Sequence, residues 1–179
     1  RAQTCAEWEW LLVVDDGDAD AYRALPGLDD PRLRWFATHT PASGPSAARN
    51  VGLPHARGTF ITHLDADDLM KPERLGTLLP LAQQHGVAAD LQEAFLDATG
   101  EVTGSCLPAT TPQRVTLEDA LDFDLPFFPL YRRSLDLRWH EEVRFSEDVL
   151  FNLELLARNG GMAVCPARLL RYRVRGTSV

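Results

Sequence analysis

Trp10-Leu11-Leu12-Val13-Val14-Asp15-Asp16-Gly17 is the stretch on which the fold turns. Five apolar residues run without alternation, and two carboxylates and a glycine stop them. A short strand buried on both faces of a parallel sheet reads this way, because neither face is left to water. The pattern returns at Thr59-Phe60-Ile61-Thr62-His63-Leu64, which ends in Asp65-Ala66-Asp67-Asp68. Between the two, Leu33-Arg34-Trp35-Phe36 predicts a second short strand. The loop from Pro41 to Pro45 contains Gly44, and Ser46 is expected to cap a helix through Ala47, Ala48, Arg49, Asn50 and Val51. Beyond the second acid cluster, Pro72 suits the first turn of a helix running to about Gln84, with Asp68 or Lys71 near its cap. Pro80 is expected to bend that helix or end part of it. Strands alternating with helices point to an α/β sheet. In such sheets ligands sit beyond the carboxyl ends of the strands, so Asp15, Asp16, Asp65 and Asp67 are expected to converge on one edge.

The second half is less regular. Leu91 to Leu96 predicts a strand, Thr99-Gly100 a turn, and Thr116-Leu117-Glu118-Asp119 a helix start. Pro126 and Pro129 break the chain before Leu130. Ser146 is expected to cap the clearest helix, in which Val149, Leu150, Leu153, Leu156 and Ala157 recur at helical spacing and which Gly160-Gly161 ends. Met162–Val164 and Leu169–Val174 read as closing strands. No internal repeat or low-complexity segment interrupts the chain, so residues 1–179 are expected to form one domain.

Composition narrows the function. The chain has 179 residues, 45% hydrophobic, with a net charge of −8, which suits a globular protein with a real core and not one devoted to nucleic acid. Its apolar stretches are too short to cross a bilayer. Cys5, Cys106 and Cys165 form no Cys-x-x-Cys pair, so reduced thiols in the cytosol are expected rather than a disulfide framework or zinc site. His39, His55, His63, His85 and His140 show no metal spacing and are read as surface or core residues. The chain opens on Arg1 without the pattern of a signal peptide and is expected to be a segment of a longer protein.

The acids suggest chemistry. In extended chain Asp65 and Asp67 point the same way and can share one ligand. A few hard oxygens suit Mg²⁺ or Mn²⁺ held together with substrate phosphates. The plain alternative is a surface turn, where Asp is common. Asp15 and Asp16 can accept hydrogen bonds from a base or ribose, or simply belong to a tight turn at Gly17. Arg49, early in its helix, can meet a phosphate or a base, or pair with an acid at the surface. Glu147 and Asp148 offset the helix macrodipole whatever else they do, and one of them can serve as general base toward an acceptor hydroxyl. Arg171, Arg173 and Arg175 have a period of two and can face one side of a strand, toward a diphosphate or as a charged edge.

Together these segments resemble glycosyltransferase family 2. Val13-Val14-Asp15-Asp16-Gly17-Asp18 is similar to its VVDDGS segment, and Gly44-Pro45-Ser46-Ala47-Ala48-Arg49-Asn50-Val51-Gly52 to its G-x-x-x-ARN-x-G segment. Residues 58–68 resemble the strand that carries its DxD, Ser146-Glu147-Asp148 its late ED, and Tyr172-Arg173 with Thr177-Ser178 its closing YR…S. The order and spacing match over nearly the whole chain.

The resemblance implies a GT-A, Rossmann-like fold with a mixed, mostly parallel sheet flanked by helices. The family's first strand, with its P-x-[YF]-N segment, is absent here. Residues 1–85 would form the nucleotide-binding half and 86–179 the acceptor-side half. It implies an inverting, hexosyltransferase-type enzyme taking a UDP-, GDP- or dTDP-sugar, with Mn²⁺ or Mg²⁺ as cofactor and a carbohydrate, lipid or small-molecule acceptor. It would work in the cytoplasm, at the inner face of the membrane. Asp15, Asp16, Arg49 and Asp65 would bind the nucleotide sugar, and Asp65 and Asp67 the metal. Asp148 would be the base, with Glu147 beside it. Trp139, Arg175 and the stretch from Phe127 to Arg133 would lie on the acceptor side. Where many members place a metal-reaching His, this chain has Arg175, which cannot ligate.

Two other classes share some of these features. A receiver domain has paired acids and Mg²⁺ but wants a lysine at the end of a late strand, and the only lysine is Lys71, right behind the acids. A nucleotidyltransferase making nucleotide sugars would want a Gly-rich basic phosphate loop near its start, and none is visible. A glycosyltransferase-like domain kept for binding alone would have little use for intact acids.

Overall fold

A computed structural model of the chain describes residues 2–23, 25, 28–105, 113–121 and 127–175, and all structural statements concern these. Cys106, Pro126, Thr177 and Ser178 lie outside them.

The first strand, β1 (Trp10–Val14), pairs in parallel with β2 (Leu33–Ala37), after a short helix α1 (Ala19–Arg23). Helix α2 (Pro45–Gly52) packs on this pair, with Gly52 facing Val13 and Leu11. A second sheet carries the rest in the order β3-β8-β5-β9-β4, with β3 (Phe60–Ile61), β4 (Leu69–Met70), β5 (Val87–Leu96), β8 (Leu130–Arg132) and β9 (Met162–Val174). Two short strands, β6 (Val102–Ser105) and β7 (Arg114–Val115), pair with β5 and β9. The β5–β9 pairing is parallel and the longest in the molecule, while the pairings of β3, β4, β6, β7 and β8 are antiparallel. The sheet is therefore mixed, with its parallel part at the centre. No ladder joins the two sheets among the described residues. Strands β3 and β4 of the first half pair with β8 and β9 of the second, so one sheet spans the two halves.

Helices cover both faces of β5. On one side, helix α4 (Glu147–Asn159) sets Phe151, Leu155 and Leu156 against Val87, Ala89, Leu91 and Tyr131. On the other, helix α3 (Arg74–His85) sets Leu78 and Ala82 against Ala88 and Leu130. The period-two alternation of β5 sends successive side chains to the two layers, which is why Val87 to Gln92 are all buried.

Several local expectations need correction. Helix α2 starts at Pro45, with Gly44 at its cap; Ser46 lies inside the helix, buried, its Oγ without a hydrogen-bond partner. Gly44 takes φ 96°, a region open to glycine, and Pro45 supplies the fixed φ of a first helical residue. Helix α3 starts at Arg74 with no side-chain cap from Asp68 or Lys71, and it continues through Pro80. Burial of Leu78 and Ala82 on either side of the proline outweighs the lost backbone bond. The expected strand 59–64 keeps a ladder only over Phe60–Ile61, leaving the chain before Asp65 irregular. The two closing strands are one strand, β9, whose register against β5 shifts where Pro166 and Ala167 are looped past Leu91. Thr116 opens a single 3-10 turn rather than a helix, exchanging hydrogen bonds with Asp119. In α4 the buried face is Phe151, Asn152, Leu155 and Leu156. Ala157 is exposed, and the buried amide of Asn152 donates to the Phe127 carbonyl at 3.0 Å. Ser146 precedes α4 in a left-handed conformation and makes no cap bond.

Candidate active site

The site begins where β1 ends. Asp15 accepts Thr38 Oγ1 at 2.7 Å and the backbone N–H groups of Ser43 at 3.0 Å and Gly44 at 2.8 Å. Desolvation opposes its charge, but these three donors outweigh it and hold the carboxyl below its ordinary value. Asp15 thus fixes the loop that launches α2. Asp16 accepts the Tyr22 hydroxyl and the Asp18 N–H, and the Tyr22 bond is the main cause that lowers its pKa.

One turn into α2, Arg49 meets three parts of the chain. Its Nη2 lies 2.6 Å from Asp65 Oδ1, its Nη1 3.2 Å from Glu147 Oε1, and its guanidinium carbon 4.1 Å from the centre of the Trp139 ring. The next residue, Asn50, clamps the Trp139 backbone: its Oδ1 accepts the Trp139 N–H at 2.9 Å and its Nδ2 donates to the Trp139 carbonyl at 2.8 Å. Trp139 lies flat on Phe151, with centroids 4.2 Å apart. His63 packs edge-on against both rings and puts Nε2 3.0 Å from the Tyr131 hydroxyl. Burial, reinforced by the Arg49 charge, lowers the His63 pKa to about 3, so the ring is neutral. Burial likewise pushes the Tyr131 phenol up. Trp139, expected on the acceptor side, is 5% exposed and lies beneath Arg49.

The second acid cluster divides its work. Asp65 and Asp67 keep 37% and 42% side-chain exposure, whereas Asp68 is buried. Asp68 Oδ1 accepts the Arg173 N–H at 2.9 Å, and its Oδ2 is buried with no hydrogen-bond partner. Burial, with Asp65 and Asp67 nearby, raises its pKa to about 6. Arg173 also donates to the Asp67 carbonyl and to Asp97, fixing the turn on β9. Of the three period-two arginines, Arg171 pairs with Glu93 at 2.9 Å, and Arg175 lies 3.7 Å from Asp67 Oδ2. Arg175 therefore stands at the Asp67 end of the site. Among the described residues no group of three His, Cys, Asp or Glu side chains forms a metal cage.

At the start of α4, Asp148 is half-buried beside Glu147. Desolvation raises its pKa, the Val149 N–H lowers it, Glu147 raises it and Arg49 lowers it, and the net direction is upward. A carboxyl above its ordinary range is a better proton acceptor near neutral pH.

The structure thus brings Arg49, Asp65, Glu147 and Asp148 together, with Asp67 and Arg175 beside Asp65. Asp15 holds the loop that starts α2, and Asp16 holds Tyr22 and the Asp18 N–H. Sequence reasoning gave no role to Thr38, Asn50 or His63. Asn50 had a signal, since an amide two-way clamp suits a motif residue beside Arg49; a neutral core histidine has none. No described helix is long and apolar enough to cross a membrane, and Cys5 and Cys165 are free thiols.

Residues 1–138 match the Glycosyl transferase family 2 profile. The succinoglycan biosynthesis protein ExoO of Rhizobium meliloti is 34% identical, over 94% of this chain and 53% of that protein. The GalNAc(5)-diNAcBac-PP-undecaprenol beta-1,3-glucosyltransferase of Campylobacter jejuni is 28% identical, over 79% of this chain and 48% of that protein. The crystal structure of S. aureus TarS 1-349 in complex with UDP-GlcNAc superposes with a TM-score of 0.80 at 21% identity, covering 99% of this chain and 53% of that one. The chain spans about half the length of these relatives. At that identity the structural likeness carries the fold alone, and the fold is the GT-A arrangement.

Proposed function

The chain belongs to glycosyl transferase family 2, and from that premise we propose that it is the donor-binding and base-bearing part of an inverting, metal-assisted sugar transferase. The observation that carries the reading is Arg49, which ties Asp65, in the irregular chain after β3, to Glu147, next to the half-buried Asp148. Donor-side and acceptor-side carboxylates then lie around a single guanidinium.

In this reading Asp15 orders the loop and helix start that receive the nucleotide, and Asp16 and Arg49 hold it. Asp65 and Asp67 fit Mg²⁺ or Mn²⁺: they are open, hard oxygen donors with no group of three such ligands among the described residues, as expected for a cation shared with substrate phosphates. Such an ion neutralises charge on a departing nucleoside diphosphate. Asp148 takes the proton of the acceptor hydroxyl as that oxygen bonds to the anomeric carbon and the diphosphate leaves from the opposite face, inverting the centre. Arg49 and Glu147 hold Asp148's surroundings in register, and the neutral His63–Tyr131 layer keeps water and charge out from beneath. A UDP-sugar is the donor we favour, because the TarS structures of similar fold bind UDP and UDP-GlcNAc. The acceptor is a growing glycan, as the names of the succinoglycan and undecaprenol-linked relatives suggest, and the work is cytoplasmic, at the inner face of the membrane where that glycan is lipid-linked.

Calorimetric titration of UDP, GDP and dTDP into the full-length protein, with and without Mn²⁺, tests this. Metal-dependent binding of one nucleotide is expected, weakened about tenfold or more by Asp67→Ala, the scale of one lost charge-assisted contact. A folded full-length protein that binds none of the three would overturn it.

A further inference from the structure

His140 carries a carboxylate on each of its two ring nitrogens. Glu142 Oε1 lies 3.0 Å from Nδ1, and Glu154 Oε1 lies 2.6 Å from Nε2. A carboxylate can only accept, so both nitrogens must donate, and a neutral imidazole has a single N–H. The second proton rests on the ring, because an imidazole binds it about a hundredfold more tightly than a glutamate does. The geometry therefore describes an imidazolium. The bonds to Glu154 and then Glu142 raise its pKa above the ordinary value, against a smaller cost of desolvation. The side chain is 38% exposed, so the pH of the solvent reaches it.

What the ring joins gives that proton a use. Glu142 belongs to the same loop, while Glu154 stands on α4, about two turns beyond Glu147. The neighbours of His140 are fastened to α2. Asn50 clamps the Trp139 backbone and donates to Glu141 Oε1 at 2.8 Å. The Trp139 ring meets both Arg49 and Phe151. Residues 139–142 are thus a joint between α2 and α4, and the His140–Glu154 bond is its polar tie to α4. A cavity of about 500 Å³ opens at the joint, and the charged groups that line it with His140 are Asp136, Arg138, Glu141, Glu142, Glu154 and Arg158. Arg158 is committed to the Leu135 and Asp136 carbonyls at 2.8 and 2.9 Å, and Glu141 to Asn50. Glu142 and Glu154 are the two that bond the ring.

We propose that His140 is a positioning residue that works as a proton-operated latch: protonated, it pins residues 139–142 to α4 and holds Arg49 and Glu147 in the arrangement that transfer needs; deprotonated, it releases one carboxylate and the joint loosens. The effect on transfer rests on the glycosyltransferase reading, and the latch itself does not. Folding raises the affinity of His140 for its proton. The stabilisation is therefore complete below the ordinary histidine value and is lost as pH rises through the raised one.

Two measurements on the full-length protein test this across the neutral and alkaline range. NMR follows the histidine rings and the Trp139 indole, and steady-state kinetics follow kcat/KM. His140 is expected to titrate above an exposed histidine, and the Trp139 signal to shift with the same midpoint. Glu154→Gln should lower that midpoint, because a negative charge leaves the ring. Through the wild-type midpoint kcat/KM should step down about threefold to tenfold, the scale of one hydrogen bond. His140→Gln should stay at the low rate without a step, and His140→Arg, charged throughout, should keep the high rate. An unchanged step in His140→Gln overturns the proposal, as does a wild type that transfers sugar with no step at that midpoint. A His140 that titrates at or below the ordinary value, or a Trp139 signal indifferent to it, overturns it too. A shared His140 and Trp139 midpoint in a protein that transfers no sugar upholds the latch and defeats the glycosyltransferase reading instead.

Discussion

Arg74 and Arg49 are built alike and used differently. Each joins segments distant in sequence through a guanidinium. Arg74 is fully buried: it bonds Asp90 at 2.8–2.9 Å, Thr62 Oγ1 at 3.2 Å and the Phe128 carbonyl, while Asp90 Oδ2 accepts the Leu169 N–H at 3.1 Å. Donors and acceptors are matched inside the protein, and nothing from solvent has a place there. Arg49 is 10% exposed and holds Asp65 and Glu147, whose side chains are 37% and 18% exposed. Its partners stay partly open to solvent, and in the proposed reading an incoming phosphate or metal takes them over. The difference teaches that charge alone does not mark a site. What marks it is a charge whose partners remain within reach of a ligand.

The largest expected effect tests the closed half of this contrast. Arg74→Ala strands Asp90 in the core and should cost about 3–5 kcal/mol. At about 2–4 °C per kcal/mol for a chain of this size, the thermal midpoint of the full-length protein should fall by about 10 °C. A midpoint unchanged within error would mean that the strut is not buried as described.

That strut also explains what the sequence hid. Strand β5 is the centre of the sheet, yet Val87-Ala88-Ala89-Asp90-Leu91-Gln92 does not read as a core strand, because Asp90 and Gln92 interrupt it. The partner that makes Asp90 tolerable, Arg74, is on another element, and periodicity carries no information about it. By contrast β1 was legible, since a continuous apolar run stopped by acids is a local pattern, while the same pattern before Asp65 yields a ladder only over Phe60–Ile61. The pairing of Arg49 with Asp65 and Glu147 was not legible either. Residues 49, 65 and 147 could be nominated one by one, but their convergence depends on how α2 and α4 lie against the sheet. Ser46 failed as a cap for a local reason: Gly44-Pro45 already starts the helix two residues earlier.

The open half of the contrast is tested by Arg49→Lys, which keeps a charge but loses the planar fork and the stack on Trp139. Stability should change by less than about 1 kcal/mol, while sugar transfer by the full-length protein falls about tenfold or more, the scale of one charge-assisted hydrogen bond. Thermal melts and steady-state rates on one preparation give both numbers. Destabilisation as large as that of Arg74→Ala, with activity lost only in proportion to unfolded protein, would erase the distinction between the two arginines.

The smallest effect is the most specific. Burial holds Asp148 above the ordinary carboxylate range; Glu147 pushes it further up, and Arg49 pulls it down. If Asp148 is the base, kcat/KM falls on the acidic side as this carboxyl protonates, and the midpoint lies above that of an ordinary Asp. Glu147→Gln removes a neighbouring negative charge, so Asp148 ionises more easily and the acidic limb moves to lower pH. Arg49→Met removes a positive charge, and the limb moves to higher pH. Arg74, buried on α3 and committed to Asp90, is not among the groups acting on Asp148, so Arg74→Met should leave the limb in place in whatever fraction stays folded. Opposite shifts for the two site variants would tie the open arginine to the proton transfer itself. Shifts of the same sign, or an equal shift in the Arg74 variant, would show that the limb reports something other than Asp148.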